Sequence, residues 1–149
     1  MTLKHINNVL NYLKKIIFYK TRKHVVLINI NELHHIENFS EKRVNWLSKK
    51  ILNEKIWKVP LKVEKKYKLV MDGQHRMEVA KLIGLSRVPC ILYSYDEVLV
   101  WSLRKGYKVS GNDIIENYKK NYIYPYKTAK HKFPYGEDVI IKYNIEDLI

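Results

Sequence analysis

The fold is decided by the stretch KLVMDGQHRMEVAKLIGLSRVPCILY, which spans residues 68–93. It opens with the short apolar run at residues 69–71, which stops at the Asp-Gly pair of residues 72–73. Apolar residues then recur at helical spacing until Gly84, and this is typical of a helix that ends at a left-handed glycine. A second apolar run follows at residues 88–93. The stretch therefore predicts a strand, a turn, a helix and a second strand, as in mixed α/β folds.

The spacing of apolar residues predicts further helices and strands on both sides of this stretch. Residues 3–19 carry apolar side chains at helical spacing, which predicts an amphipathic helix packed on the domain as an N-terminal addition. The other expected elements are a strand at residues 25–30, a helix from the Ser40 cap to about Asn53, a strand at residues 61–64, a helix after Ser110 or Asn112, and an ordered, non-helical surface segment at residues 122–135.

Length and composition favour one folded domain. The chain has 149 residues, of which 46% are hydrophobic and 29% charged, so it carries enough apolar material for one core. Its single cysteine, Cys90, lies in an apolar run, which predicts a reduced, inert core thiol and a cytoplasmic setting. There is no signal-peptide pattern and no apolar run near ~18 residues, so neither secretion nor a membrane partner is expected.

The charge balance makes a polyanionic partner a possibility to be weighed. The 28 basic and 15 acidic residues give a formal charge of +13, which attracts polyanions through a non-specific field. The lysines are spread along the chain and form no single tract. A lysine-rich, solvated surface is the ordinary interpretation of this pattern, and a nucleic-acid groove is the alternative.

The Asp-Gly turn ahead of the predicted helix is the first candidate site. A strand that ends there and opens a helix leaves several backbone N–H groups free at the positive end of the helix dipole. Gly73 would let a phosphate approach closely, His75 and Arg76 would add donors, and Asp72 could hold Mg²⁺. The structural alternative is a common Asp-Gly turn with side chains exposed to solvent.

Two further segments and one tryptophan are candidates. Glu37, on a loop before a helix, could serve as a general base, or be an exposed loop residue. The adjacent histidines before it lack a third ligand at zinc-like spacing. The basic segment 127–131 suits a carboxylate or phosphate ligand, or is a solvated tail. Trp101 ends a β-run, where a core position is more common than a substrate platform.

These segments, in this order, resemble the ParB/sulfiredoxin-like superfamily and, within it, the free-serine kinases. The resemblance covers roughly residues 25–136. Asp72, Gly73, His75 and Arg76 match the family's D-G-x-H-R turn, and Gln74 stands where the kinases often have a second histidine. The W-K-x-P connection is present at residues 57–60.

The family's closing motif, K-T-T-R-H followed by an apolar residue and proline, is similar to residues 127–134. Ala129 replaces a hydroxyl residue and Lys130 replaces an arginine, so the planar bidentate grip of a guanidinium is lost there. The long central insertion of the larger serine kinases is absent from the chain.

The resemblance implies an α+β fold: a compact ParB/sulfiredoxin-like domain with a small mixed sheet, helices packed on it and an N-terminal helical extension. One domain is expected over residues 1–149, with the N-terminal helix at 1–22, the family core at 23–136 and a C-terminal tail at 137–149.

The implied activity is transfer of a phosphoryl group from ADP or ATP to the hydroxyl of a free amino acid, most directly L-serine, with Mg²⁺ as cofactor. The implied roles are catalysis by Glu37 and Asp72, with Glu32 as the fallback base and Asp72 also as metal ligand; phosphate binding by Gly73, Gln74, His75 and Arg76; and substrate binding by Trp101, Lys127, Thr128, Lys130 and His131.

Two other activities stay open at this point. A ParB-like, nucleotide-dependent DNA-binding protein would suit the basic charge, although the stretch after Gly136 is too short for a helix-turn-helix domain. A ligand-binding regulator with the same fold and no catalysis is the other alternative. A sulfiredoxin-like reductase is disfavoured because Gln74 stands where its nucleophilic cysteine belongs.

Overall fold

The computed structural model describes residues 2–21, 23–134 and 139–149, with side chains for residues 2–13 and from residue 23 onward. The boundaries expected at residues 22 and 136 lie outside the described residues, so the division of the chain into three parts stays a prediction. The helices are α1 (Leu3–Thr21), α2 (Glu41–Glu54), α3 (Gln74–Leu82) and α4 (Gly111–Lys119); the strands are β1 (Val25–Asn29), β2 (Ile56–Trp57), β3 (Leu61–Glu64), β4 (Val70–Asp72), β5 (Arg87–Tyr93), β6 (Leu99–Ser102), β7 (Ala129–Lys132) and β8 (Tyr143–Asn144).

A mixed four-stranded sheet forms the centre of the fold, in the order β1-β5-β3-β4. Strands β3 and β5 run parallel, whereas β1 with β5 and β3 with β4 are antiparallel. Helix α3 connects β4 to β5, as residues 68–93 predict. Two small pairs, β2 with β8 and β6 with β7, lie outside this sheet. The mixed α+β class expected from the sequence is confirmed.

Apolar side chains from the sheet and from helices α2 and α3 form the main core. Leu61 and Val63 of β3, Val70 of β4 and Met77 of α3 are all fully buried. Cys90 on β5 belongs to the same cluster, and burial raises the pKa of its thiol to about 12. The prediction of an inert core thiol is therefore confirmed.

The segment 122–134 contains a paired strand and buried side chains, which the sequence does not predict. Residues 122–135 were expected to form an ordered surface segment, but β7 pairs with β6, with Trp101 opposite Lys130. Thr128 is fully buried, and Tyr124 is only 3% exposed. Strand β7 has only four residues and no large apolar side chain, so its alternation of exposed lysines with Ala129 and His131 is a weak strand signal in the sequence.

Helix α1 is present as predicted, but its apolar face does not pack on the domain. Every side chain from Thr2 to Leu13 is exposed, including 80% of Leu3. None of the three apolar clusters of the described residues includes a residue of this part of the helix. In the described part of the chain, no helix is long and apolar enough to cross a membrane.

Replacing Gly111 by alanine is expected to destabilise the protein, although alanine normally favours a helix. A Cβ at Gly111 would lie 2.5 Å from Cβ and 2.6 Å from Cγ of Tyr95. These two atoms of Tyr95 are next to its backbone, so the clash can be relieved only if the backbone of α4 or of Tyr95 moves. Overpacking of this kind costs about 1–3 kcal/mol in free energy of unfolding. Urea unfolding measures the loss, and Asn112→Ala, at the exposed next position of α4, is the control that should change stability by less than about 0.5 kcal/mol. Equal stability of the two variants would contradict this packing.

Candidate functional site

A cavity of about 690 Å³ lies where the turn between β4 and α3 meets helix α2 and the segment 126–133. Its lining is strongly basic. The basic side chains that line it are Arg43, Lys62, Arg76, Lys127 and Lys130, and the acidic ones are Glu37 and Asp72. Walls with this excess of positive charge attract an anionic ligand. The two motifs that the sequence singled out, residues 72–76 and 127–131, therefore share one cavity.

The first turn of helix α3 presents backbone donors at this cavity. Gly73 is the N-cap residue, with φ 112°, and as a glycine it has no side chain that could accept a hydrogen bond from the first turn. The first helical bond runs from Met77 N to Gly73 O at 2.9 Å, so the earlier amides have no partner within the helix. Gly73, Gln74 and His75 all line the cavity. This arrangement suits an anion such as phosphate.

Gly73 meets two requirements that only glycine can satisfy here. Its φ of 112° lies in the region that L side chains rarely adopt. A Cβ at this position would also come within 2.9 Å of Cγ of the buried Leu61 and 3.3 Å of Nη2 of Arg76. The turn therefore lies directly on strand β3, and its conformation depends on a residue without a side chain.

His75 is held as a neutral side chain. Its Nε2 accepts a hydrogen bond from the backbone N–H of Ser40 at 3.0 Å, which places the ring proton on Nδ1. Burial lowers the pKa of His75, and the electrostatic effects of Arg43, His35, Arg76 and Lys127 lower it further. Ser40 caps helix α2 by accepting from Arg43 N at 3.3 Å, as predicted. One hydrogen bond thus joins the starts of α2 and α3.

The guanidinium of Arg76 forms several hydrogen bonds to other residues of the protein. Its Nη1 donates to the carbonyl oxygens of Val59 at 3.0 Å and Pro60 at 2.7 Å. Its Nη2 lies 3.3 Å from Oδ2 of Asp72, whose side chain is about half exposed. Arg76 therefore fixes the W-K-V-P connection against the turn as well as adding charge to the cavity.

A network that sequence reasoning missed holds the side chain of Gln74. Its Nε2 donates to Val70 O at 2.5 Å, and its Oε1 lies 2.5 Å from Nδ1 of His35. The other ring nitrogen of His35 contacts Oε1 of Glu78 at 2.6 Å. Burial raises the pKa of Glu78, but hydrogen bonds from His35 and Lys81 outweigh it and leave that pKa below its usual value. The Gln74 side chain therefore anchors the turn to the protein.

Glu37 connects the loop before α2 to the segment 127–131. Its Oε2 accepts hydrogen bonds from the backbone N–H groups of Thr128 and Ala129, both at 2.9 Å. Burial raises the pKa of Glu37, while these two hydrogen bonds and the charge of Arg104 oppose the rise. The fallback candidate, Glu32, lies exposed in a short 3-10 helix. Of the two, Glu37 is the one at the cavity.

The segment 127–131 divides between the cavity and the protein interior. Lys127 and Lys130 line the cavity, whereas the hydroxyl of Thr128 donates to Pro125 O at 2.6 Å. Thr128 is fully buried, so its hydroxyl is used by the protein and its backbone N–H holds Glu37.

His131 lies at the inner wall of the cavity. It is 9% exposed and its ring stacks on that of Phe133. Burial lowers the pKa of His131 to about 4, with a smaller opposing effect of Asp72. Nε2 of the ring lies 3.3 Å from the hydroxyl oxygen of Tyr95, whose own pKa is raised by burial. His131 is therefore neutral near pH 7, and the tautomer of its ring decides whether the ring or the phenol donates.

Trp101 does not line the cavity. It is 42% exposed on β6 and pairs with Lys130 across the β6–β7 ladder. Its predicted role as a wall of the substrate pocket stays a prediction.

Sequence reasoning missed several of the lining residues. Lys62 lies between the fully buried Leu61 and Val63 of β3, so the alternation of the strand turns it to the other face. Its Nζ is 4.4 Å from the centre of the Phe133 ring. Arg43 lies in the first turn of α2, three residues after the cap. The sequence predicts strand β3, but it does not show that the face of β3 carrying Lys62 lies at the cavity.

Sequence comparison gives one distant relative of known activity. No protein-family model matches the chain. An alignment 75 positions long, which covers 47% of the chain, is 33% identical to an ATP-dependent L-serine kinase of Desulfurococcus mucosus. The match spans 29% of that kinase's length, so it covers only a part of the relative.

Comparison of structures identifies the fold. A free serine kinase solved with AMP matches with a TM-score of 0.76 and 14% identity, over 87% of this chain and 95% of the other. A variant of a free serine kinase has been solved with ADP and matches equally well, with a TM-score of 0.75. C-terminally truncated SbnI from Staphylococcus aureus matches with a TM-score of 0.75 and 11% identity, over 84% of this chain and 89% of the other.

The chain therefore has the fold of the free serine kinases and of SbnI. This confirms the resemblance that the D-G-x-H-R turn and the closing motif predict. Because these structures are only 11–14% identical to the chain, their similarity to it shows a shared fold and no more.

Acid is expected to destabilise the protein through His131. The pKa of this histidine is about 4 in the folded chain and near 6.5 when unfolded, so the unfolded state binds more protons between these values. The stabilisation is complete above pH 6.5 and is lost as the pH falls toward 4, by up to about 3 kcal/mol. Urea unfolding at a series of pH values measures it.

The His131→Gln variant supplies the control for this pH series. It should lose stability less steeply than the parent between pH 6.5 and 4, with the remaining slope including the contribution of His75, whose pKa is also lowered. Identical pH profiles of parent and variant would contradict the assignment of a buried neutral histidine.

Proposed function

We propose that this protein is a phosphotransferase that moves a phosphoryl group from ADP or ATP to the hydroxyl of a free amino acid, with L-serine as the expected acceptor. The supporting observation is that a helix start without a side-chain cap, the half-buried carboxylate of Glu37 and a basic segment line one cavity. The P–O bond to the departing AMP or ADP breaks, a bond from phosphorus to the serine hydroxyl oxygen forms, and the hydroxyl proton passes to a base. The products are O-phospho-L-serine and the shortened nucleotide.

The nucleotide would bind with its terminal phosphates at the turn. Backbone donors at a helix N-terminus suit a phosphate, and five basic side chains at the cavity add to the attraction. Neutral His75, with its proton on Nδ1, is a further donor whose charge does not depend on pH near neutrality. The AMP and ADP complexes of the free serine kinases with this fold support the assignment.

Magnesium would enter with the nucleotide. The described residues contain no cluster of three or more histidine, cysteine, aspartate or glutamate side chains that could hold a metal ion. Mg²⁺ commonly uses one or two carboxylates together with substrate phosphates, and Asp72 at the cavity supplies one such carboxylate. When bound, the ion would offset the negative charge of the phosphate oxygens. The donor set therefore fits a nucleotide-borne Mg²⁺, with Asp72 as its ligand from the protein.

Glu37 is the proposed base toward the acceptor hydroxyl. A carboxylate whose pKa is raised by burial accepts a proton more readily near neutral pH than an ordinary glutamate does. The hydrogen bonds from Thr128 and Ala129 fix one of its oxygens, which orients the other. The same bonds connect the base to the segment that would bind the substrate, so acceptor and base would be positioned together.

The acceptor's carboxylate would bind at Lys127, Lys130 and His131. The two lysines line the cavity as point charges, and neutral His131 can donate or accept a hydrogen bond. The role proposed for Thr128 is indirect, through its backbone bond to Glu37, because its hydroxyl is already bonded to Pro125 O.

The proposed activity is tested by phosphorus NMR of product formation. The purified chain is incubated with Mg²⁺, with ADP or ATP, and with a panel of free amino acids. We expect O-phospho-L-serine, and we expect Glu37→Gln to lower turnover by about a hundredfold or more. Glu32→Gln, the same change at an exposed glutamate, is the matched control and should turn over normally.

A normal rate for Glu37→Gln would remove Glu37 as the base. No phosphorylated amino acid from either nucleotide, combined with tight and steeply salt-dependent binding of duplex DNA, would replace the kinase proposal by that of a DNA-binding protein.

Nucleotide affinity is expected to depend on His75. Its replacement by alanine removes a donor beside the turn and the bond to Ser40, so ADP and ATP should bind about tenfold more weakly in calorimetry. His34→Ala is the matched control, because His34 contacts Tyr118 away from the cavity. Unchanged affinity in the His75 variant would count against binding at the turn.

A further inference from the structure

Helix α1 has an apolar stripe that the domain leaves uncovered. Leu3, Ile6, Val9, Leu10 and Leu13 recur at helical spacing and are between 43% and 80% exposed. Residues at this spacing lie on one side of a helix. The next positions of the same pattern in the sequence are also apolar, Ile16 and Ile17. The helix has 19 residues, so the stripe extends over several turns.

The charged residues in this part of the sequence are all of one sign. The first acidic residue of the chain is Glu32, and the residues before it include six basic ones, which are Lys4, Lys14, Lys15, Lys20, Arg22 and Lys23. Of these, Lys23 forms an ion pair with Glu97 at 2.6 Å. Helix α1 therefore combines an apolar stripe with lysines and has no carboxylate of its own.

We propose that α1 binds the surface of an anionic lipid bilayer, lying in the plane of the interface with its Leu3–Leu13 stripe toward the acyl chains. An amphipathic helix with a basic polar side and modest overall hydrophobicity has this behaviour. Lysines near the surface are attracted by anionic headgroups, while the apolar side chains enter the boundary of the acyl chains. A bilayer is the partner that complements both properties of the helix.

Two other occupants fit the helix less well. A second copy of α1 would cover the stripe, but it would bring two basic helices together with no carboxylate on either to pair with the lysines. A nucleic acid would neutralise the lysines, but it would leave the leucine and isoleucine side chains in water. The sequence alone argued against a membrane partner because it lacks a long apolar run, and a helix lying on the surface needs no such run.

The proposal is tested by flotation of the full chain with lipid vesicles. The vesicles are either pure phosphatidylcholine or an equimolar mixture of phosphatidylcholine and phosphatidylglycerol. We expect about tenfold stronger partitioning onto the anionic vesicles, weakened by added salt. Replacing Leu10 by asparagine should reduce this partitioning by about tenfold, because the side chain no longer contributes apolar burial.

A matched control separates the stripe from the overall charge of the protein. Leu99→Asn makes the same change at a leucine that is 65% exposed on β6, outside α1, and should partition like the parent. Because α1 is outside the apolar core, Leu10→Asn should keep the parent's thermal unfolding midpoint and nucleotide affinity.

Three results would overturn the proposal. Partitioning that does not change in Leu10→Asn would show attraction by net charge alone. Equal or absent partitioning on both kinds of vesicle would exclude an anionic bilayer as the partner. A dimer in analytical ultracentrifugation that Leu10→Asn dissociates, without vesicle binding, would assign the stripe to a second copy of the chain.

Discussion

The site depends on the close contact between Gly73 and Leu61. Strand β4 can pass into helix α3 at this point only because Gly73 adopts a φ of 112° and has no Cβ to meet Leu61. The contact fixes the first turn of α3 against the centre of the sheet. Because Gly73 has no side chain to cap that turn and Gln74 and His75 line the cavity, their backbone N–H groups are candidate donors to a ligand there. The anion-binding property is thus a consequence of backbone geometry, to which the surrounding side chains contribute charge and orientation.

Glu37 connects the two halves of the cavity through a pair of backbone hydrogen bonds. Its carboxylate lies 91 and 92 residues from the two amides that it accepts from, so one side chain joins segments far apart in the chain. The two histidines of the cavity, His75 and His131, stay neutral because burial lowers the pKa of each. The positive charge of the cavity near pH 7 therefore comes from lysine and arginine, and it changes little over the physiological range.

The sequence predicts the parts of the fold that local patterns determine. Residues 68–93 predict β4, the turn, α3 and β5, because the apolar spacing changes abruptly at Asp72. It also predicts that the turn and residues 127–131 belong to one site, through the family resemblance. It does not reveal the pairing of β7 with β6, because β7 is four residues long and has no large apolar side chain to mark it as a strand. The Gln74–His35–Glu78 network was also missed, since contacts between residues far apart leave no local pattern.

The binding of nucleotide phosphates at the start of α3 is tested most directly by following backbone amide resonances with nitrogen-15 NMR while ADP or ATP is added. We expect saturable shifts at Gly73, Gln74 and His75, with a common dissociation constant, and no comparable shifts at Gly84 and Gly106, which do not line the cavity. If the protein is saturated with nucleotide while these three amides keep their resonances, the phosphates do not bind at the start of α3.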